Sequence, residues 1–196
     1  MTFPSRVIVA CIFIITLGLL VNTILKKFNF SEILGKKYTR QDLVENFMEH
    51  QNEFADLESY FNAHVPYNSD QTVRIELNGS RKVGLTIYHD NAEPIGGYME
   101  INSPKMDTML ALLGWTKEIV LNITEKLSKI NCEQISSTHL YGGEPIDIYL
   151  RQRGLGSYNY FIYKKPLSDS LIKYIGKPLT DTGLGSRVVI SYTAPL

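Results

Sequence analysis

The chain has 196 residues, enough for one soluble domain and a short additional segment, and its 44% hydrophobic and 20% charged residues are ordinary for a globular protein. This composition excludes a wholly disordered chain. The formal net charge is zero, which excludes the strongly basic surface typical of nucleic-acid-binding domains, so we expect no nucleic-acid partner.

A continuous apolar stretch near the N-terminus, residues 7–25, contains no charged side chain. At about 1.5 Å per residue a helix of this length spans roughly 28 Å, close to the hydrocarbon thickness of a bilayer. The residues after the stretch lack the small side chains of a signal-peptide cleavage site, and the apolar run before Cys11 is too short for a lipoprotein signal. We therefore interpret residues 7–25 as an uncleaved, single-pass signal-anchor that contacts the lipid bilayer.

This interpretation divides the chain into a membrane anchor at residues 1–27, a basic connector at residues 28–40 and one soluble domain at residues 41–196. Lysine and arginine side chains lie mainly after the anchor, which favours a cytoplasmic domain under the positive-inside rule. A short N-terminal tail that carries Arg6 can instead stay inside while the chain is exported. We adopt the extracytoplasmic orientation, and the cytoplasmic one stays open.

Residues 41–62 have the pattern of one long amphipathic helix of about six turns. Apolar residues recur at alternating intervals of four and three and form one stripe, while acidic residues occupy the other positions. Because this stripe is too apolar to face water, we expect it to pack on its own domain; a second copy and a partner protein are the alternatives. The stripe consists of Leu43, Phe47, Phe54, Leu57 and Phe61, widened by Val44 and Met48.

Residues 72–77 and 83–88 alternate apolar and polar side chains and predict an antiparallel hairpin. Asn78-Gly79 is typical of a two-residue turn, but such a turn would mix the two faces. Pairing Leu77 with Val83 keeps all apolar residues on one face and requires a loop of three or five residues. We therefore predict the register that pairs Leu77 with Val83.

Two helices are predicted at residues 104–113 and 117–130, and we expect both to cover the apolar face of the sheet. Ser103 supplies a capping hydroxyl immediately before a proline, a combination typical of a helix start. Gly114 marks the end of the first helix. Alternating apolar residues around Ile190 predict a final strand.

The last third of the chain predicts a second hairpin that pairs residues 146–153 with residues 158–165. A four-residue loop at residues 154–157 gives cross-strand pairs that are all chemically sensible, including Asp147 opposite Lys164.

With this register, tyrosine and arginine side chains share one face of the second hairpin. Such side chains offer large, rigid contact areas with hydrogen-bonding tips, which suits the recognition of a ligand or partner. Ordinary cross-strand stabilisation of a solvent-facing sheet is the alternative. The candidate binding residues are Tyr149, Arg151, Arg153, Tyr158 and Tyr160.

No catalytic or metal-binding pattern is found in the sequence. The four histidines do not stand at metal-ligand spacing, and Asp181-Thr182-Gly183, an aspartic-protease triplet, is followed by too few residues for that fold and is interpreted as a turn. Cys11 and Cys132 fall on different sides of the bilayer boundary, so we predict no intrachain disulfide. We also predict no cofactor, no metal and no catalytic residue.

Together these patterns predict an α+β protein: an N-terminal transmembrane helix, then a long amphipathic helix and an antiparallel sheet packed against helices. The leading functional hypothesis is a membrane-tethered, non-catalytic binding or interaction module whose partners are the bilayer, through residues 7–25, and a protein. Two alternatives stay open. One is an enzyme with a dispersed site, and the other is a structural subunit of a membrane complex.

We expect the full-length chain to stay with membranes during an alkaline carbonate wash, because an uncleaved apolar helix is held by the bilayer core. Deletion of residues 1–27 should release the remainder into the soluble fraction. Fractionation followed by N-terminal sequencing checks both outcomes. A mature protein that begins near residue 24 would show that the segment is a cleaved signal.

Overall fold

A computed structural model describes residues 38–65, 71–78, 82–89, 92–137, 145–153, 156–168 and 187–193, which belong to a compact unit, Tyr38–Leu196. This part of the chain contains four α-helices and a seven-stranded antiparallel sheet, which confirms the α+β class. None of the helices described there is long and apolar enough to cross a membrane. The predicted anchor, residues 7–25, lies outside the described residues.

The sheet consists of two meanders joined by one short strand. Its strand order is β3–β2–β1–β4–β5–β6–β7, and all neighbouring strands are antiparallel. The elements in chain order are α1 (Arg40–Glu49), α2 (Gln51–His64), β1 (Gln71–Asn78), β2 (Lys82–His89), β3 (Ile95–Glu100), α3 (Pro104–Leu113), α4 (Lys117–Lys129), β4 (Gln134–Ser137), β5 (Ile146–Arg153), β6 (Gly156–Ile162) and β7 (Val188–Thr193).

The prediction of one continuous helix over residues 41–62 is wrong, because α1 and α2 meet at a break. His50 has a backbone conformation of φ −114° and ψ 28°, and its Nδ1 lies 3.0 Å from the Asn46 carbonyl oxygen. The His50 backbone N–H uses the same acceptor at 3.2 Å, and such competition bends helices. The ring centres of Phe47 and Phe54 are consequently only 4.8 Å apart. In a straight helix, residues seven apart are separated by about 10.5 Å along the axis.

The apolar stripe of α1 and α2 is buried against the inner face of the sheet, so the prediction that it packs on its own domain is confirmed. Two details of that prediction are wrong. Met48 does not widen the buried stripe, since it is 46% exposed. Glu58, assigned to the acidic outer side, is buried and accepts two hydrogen bonds from the Arg187 guanidinium at 2.9 and 3.1 Å. This ion pair joins α2 to the start of β7.

The first hairpin and the two central helices agree with the local sequence signals. Leu77 lies opposite Val83, as predicted, and three residues connect the two strands. The Ser103 hydroxyl accepts a hydrogen bond from the Met106 backbone N–H at 3.3 Å and starts α3. Gly114 ends α3 in the left-handed conformation at φ 66°. The apolar sides of α3 and α4 belong to the same core as the inner face of the sheet.

The predicted register of the second hairpin is wrong. Asp147 lies opposite Phe161 rather than opposite Lys164. The strand pairing continues as far as Arg153 and Gly156, so only two residues connect the strands, and a bulge in β5 shifts the pairing by one residue. Because neighbouring residues of a strand face opposite ways, this register moves the tyrosines of β6 to the inner face.

We expect Phe54→Asp to unfold the protein, because an unpaired charge in the core costs several kcal/mol out of a total stability of about 5–15 kcal/mol. Phe54 is 0% exposed, whereas Met48 on α1 is 46% exposed, so Met48→Asp is the matched control. The control should change the free energy of unfolding by less than about 0.5 kcal/mol. Urea unfolding followed through the single tryptophan, Trp115, measures both variants. A wild-type unfolding midpoint for Phe54→Asp would contradict the assigned packing.

Candidate functional site

The outer face of the sheet, opposite the helices, carries most of the polar side chains of the strands. Ile75, Ile135 and Ile148 lie side by side in the core on the inner face, so their neighbours along each strand point outward. Two adjacent rows of outward residues cross all seven strands. One row is Tyr98, Gly84, Glu76, Gln134, Tyr149, Asn159 and Ser191, and the other is Gly96, Thr86, Arg74, Ser136, Asp147, Phe161 and Val189.

Six polar residues from β1, β4, β5 and β6 meet in the middle of this face, and we name them the polar cluster. Four of them are nine-tenths or more buried, namely Gln134, Ser136, Asp147 and Asn159. The complete polar cluster is Arg74, Gln134, Ser136, Asp147, Tyr149 and Asn159. Polar groups at this depth need hydrogen-bond partners.

Asp147 is the centre of the polar cluster. The Asn159 Nδ2 donates to its two carboxyl oxygens at 3.1 and 3.4 Å, and Tyr149 also hydrogen-bonds to it. Burial raises the pKa of Asp147 to about 7, although these hydrogen bonds and the positive charge of Arg74 act in the opposite direction. Burial, followed by the negative charge of Asp147, raises the pKa of Tyr149 to about 12. The Asp147 carboxyl therefore exchanges its proton near neutral pH while Tyr149 stays protonated.

Three polar atoms of the cluster are buried and have no hydrogen-bond partner among the residues that the structure describes. They are the Nε of Arg74, the Nε2 of Gln134 and the Oδ1 of Asn159. A buried polar group without a partner costs about 1–3 kcal/mol. The three atoms come from three different strands, and two are donors while the third is an acceptor. The outer face thus offers hydrogen-bonding capacity that the described part of the protein does not use.

Arg74 is held in place by an aromatic ring rather than by a carboxylate. Its guanidinium carbon lies 4.8 Å from the centre of the Tyr88 ring. The salt bridges between described residues do not include Arg74. The nearby Glu76 carboxylate instead accepts a hydrogen bond from the Tyr98 hydroxyl. The Tyr98 ring reaches Glu76 by crossing Gly84, where a Cβ atom would lie 3.0 Å from the ring.

The structure does not bring the five predicted binding residues together. Tyr149 lies on the outer face, within the polar cluster. Tyr158 and Tyr160 lie in the core on the inner face and are 6% and 0% exposed. Arg151 and Arg153 belong to β5, but their side chains lie outside what the structure describes.

The sequence interpretation did not select the other members of the polar cluster, although weak signals exist. Asp147 stands between two isoleucines in a predicted strand, and Asn159 stands between two tyrosines. A polar residue that alternates with large apolar ones indicates an outward position. Gln134 carried no signal, since its four-residue strand shows no clear periodicity.

In the described ranges, no group of three His, Cys, Asp or Glu side chains is arranged to hold a metal ion. The Asp181-Thr182-Gly183 triplet lies outside the described residues. Comparison with protein-family models, curated proteins and solved structures found no significant match to this chain.

We expect Asp147 to make the protein less stable as the pH rises. Its pKa is about 7 in the folded protein, against an ordinary value of 3.8, so the folded state binds the proton more tightly than the unfolded chain. The free energy of unfolding should therefore fall between about pH 4 and pH 7, by up to about 4 kcal/mol. Asp147→Asn should flatten this decrease and make the protein more stable than the wild type at pH 8.

Urea unfolding at pH 5, 6, 7 and 8 measures this dependence. Asp107→Asn is the matched control, because the Asp107 side chain is 57% exposed and pairs with Lys117 at 2.9 Å. The control should keep the wild-type slope. Equal slopes for the wild type and Asp147→Asn would show that the buried carboxyl does not hold its proton at neutral pH.

Proposed function

We propose that this protein is a membrane-tethered, extracytoplasmic, non-catalytic binding module that holds a small polar ligand at the polar cluster. The observation that carries the proposal is the set of three buried polar atoms, from three strands, without partners among the described residues. A ligand with matching donors and acceptors would satisfy all three. The anchor at residues 7–25 would keep this site at a membrane surface.

The energetic cost of the polar cluster supports binding over a purely structural role. Apolar side chains of similar size at Gln134 and Asn159 would avoid the cost of unpaired buried groups. Natural proteins keep side chains that lower stability mainly at functional sites. Retention of these side chains is therefore expected if they contact a ligand.

The setting of the polar cluster also suits binding. Its members project from β1, β4, β5 and β6, which are adjacent inner strands of the sheet, and each strand is paired on both sides. Side chains on such strands lose little freedom when a ligand binds, so less of the interaction energy is lost to ordering.

One observation favours the enzyme alternative. A carboxyl group with a pKa of about 7, as in Asp147, has a value suited to proton transfer. Acid–base catalysis commonly pairs such a carboxyl with a second group that titrates near the same pH. The polar cluster contains no histidine, cysteine or lysine, and the pKa of its tyrosine, Tyr149, is raised to about 12. The structural-subunit alternative has less support, because the apolar stripe of α1 and α2 that could dock on a partner is buried in its own core. Binding without catalysis is therefore the preferred function.

NMR of the side-chain amide groups of Gln134 and Asn159 tests the proposal on the full chain in detergent micelles. The probes are acetate, acetamide and glycerol, added one at a time. At least one probe should shift both amide signals in a saturable manner. The amide signal of Asn122, which donates to the Tyr60 hydroxyl at 3.0 Å on the helical side, should not move.

Gln134→Leu should abolish this binding while the free energy of unfolding stays the same or rises by about 1 kcal/mol, because an unpaired donor is removed. Asn122→Leu is the matched control, since it removes a hydrogen bond that is made, and it should lower stability by about 1 kcal/mol and keep the binding. The proposal is rejected if no probe moves the two amide signals. Binding by Gln134→Leu with wild-type affinity would also reject it.

A further inference from the structure

We infer that β7 pairs with β7 of a second copy of this chain, in an antiparallel, twofold-symmetric arrangement centred on Ile190. The pairing surface is the side of β7 that faces away from β6, which we name the open edge. It is separate from the polar cluster, so the inference goes beyond the proposed function. Three features carry it: the backbone groups on the open edge, the uncharged composition of β7 and the symmetry of those groups about Ile190.

The strand β7 is the last of the sheet, and the described residues place no strand on its open edge. The Tyr163 backbone N–H donates to the Arg187 carbonyl oxygen at 2.9 Å, so these residues form a hydrogen-bonded pair that continues the register of β6 with β7. Such pairs alternate along an antiparallel ladder, and this register is continuous. The backbone N–H and C=O groups of Val188, Ile190 and Tyr192 therefore point to the open edge.

The other edge strand, β3, is protected against pairing with a further strand. The carbonyl oxygen of Gly96 accepts a hydrogen bond from the Lys105 Nζ at 2.8 Å. That of Glu100 accepts from the Ser103 backbone N–H at 3.0 Å. Gly96 and Gly97 have φ angles of 120° and 112°, far from those of a regular strand. Occupied acceptors and a distorted backbone both oppose edge-to-edge pairing, so β7 is the edge suited to it.

The composition of β7 favours pairing with an identical strand. Val188–Thr193 contains no charged residue, no proline and no glycine, and four of its six residues are β-branched. Natural edge strands are commonly protected by a charge or a proline within the strand, and β7 has neither. Because the strand is uncharged, two copies can lie side by side without opposing like charges. A second copy of the chain is thus electrostatically compatible with the open edge.

The groups on the open edge are symmetric about Ile190. In an antiparallel pair centred there, Ile190 lies opposite Ile190 of the second copy, and Val188 lies opposite Tyr192. Each hydrogen-bonded pair exchanges two hydrogen bonds, so the three pairs use every N–H and C=O that the strand directs to its open edge. A pair centred on Val189 or Ser191 would place one of the three residues opposite a position outside β7.

The same register brings equivalent faces of the two sheets together. Ile190 lies opposite Tyr160 in the pairing with β6, and it is half-buried against the core on the inner face. Residues opposite each other in an antiparallel pair share one face, so the two Ile190 side chains would meet and bury their remaining surface. An unrelated strand would have to match these groups individually, whereas a second copy matches them by symmetry.

Disulfide crosslinking of the full chain in detergent micelles tests the register. Both variants also carry Cys11→Ala, which leaves Cys132, a residue that is 2% exposed, as the one native cysteine. Ile190→Cys should form a covalent dimer on mild oxidation, since directly opposite Cα atoms lie about 5.5 Å apart. Ser191→Cys is the matched control and should not crosslink, because its Cα atom would lie about 8 Å from that of the second copy.

Sedimentation equilibrium of the full chain in the same micelles measures the Kd of the dimer. Ile190→Pro should raise this Kd about tenfold or more, because it removes the central donor from each copy, a donor that the pairing with β6 does not use. Ser191→Lys should also raise it, since a lysine on an edge strand opposes pairing. Ser128→Lys, which adds the same charge at an exposed position of α4, is the matched control and should keep the wild-type Kd.

Three results would overturn the inference. The first is a wild-type chain that stays monomeric, together with an Ile190→Cys variant that does not crosslink. The second is a dimer whose Kd is unchanged by Ser191→Lys, which would form through another surface; this variant decides if Ile190→Pro does not fold. The third is crosslinking of Ser191→Cys in place of Ile190→Cys, which would reject the register centred on Ile190. None of these results affects ligand binding at the polar cluster, which has its own test.

Discussion

The side chain of Tyr160 holds the helices and the sheet together from inside the core. It is 0% exposed, its hydroxyl donates to the Leu43 carbonyl oxygen at 3.0 Å, and it accepts from the Asn46 Nδ2 at 3.2 Å. The centre of its ring lies 4.9 Å from the ring centre of Phe54 and 6.0 Å from that of Phe47. One residue of β6 thus contacts both α1 and α2. Because neighbouring strand residues face opposite ways, the inward position of Tyr160 directs Asn159 outward, and the polar cluster depends on this packing.

The two faces of the sheet serve different purposes. The inner face is apolar and packs with the four helices of the described residues in one core, which supplies the main stabilising free energy. The outer face carries a buried carboxyl and three polar atoms without partners among the described residues, and each of these groups lowers stability. A sheet with one strongly stabilising face can tolerate such a cost on the other. The ion pair of Glu58 and Arg187 lies apart from both polar rows and links α2 to β7.

Local signals in the sequence were sufficient for the parts of the fold that depend on neighbouring residues. The Ser103 cap, the Gly114 stop and the register that pairs Leu77 with Val83 all depend on residues close in sequence, and the structure has them as predicted. The break at His50 was not predictable in this way, because the contact of Phe47 with Phe54 and Tyr160 that accompanies it requires the folded core.

The polar cluster was largely hidden from sequence interpretation for two physical reasons. A bulge in β5 changes the register by one residue, and a one-residue shift exchanges the two faces of a strand. The predicted binding surface therefore includes Tyr149, which does lie on the outer face, but it also includes Tyr158 and Tyr160, which lie on the inner face. The second reason is that the lack of a partner among the described residues, as at the Nε2 of Gln134, is a property of three-dimensional neighbours and leaves no pattern in the chain.

The central position of β4 has a consequence for how the protein folds. Strands β1 to β3 pair through residues close in sequence, and so do strands β4 to β6, whereas β4 joins the two sets by pairing with β1 through residues as distant as Arg74 and Ser136. Closing such a long loop costs conformational entropy before favourable contacts form, which makes the step slow. The two halves should therefore acquire structure before they meet. Arg74 belongs to one half, and Asp147 and Asn159 to the other. The polar cluster therefore exists only after the last, non-local step of folding, and a partly folded chain cannot present it.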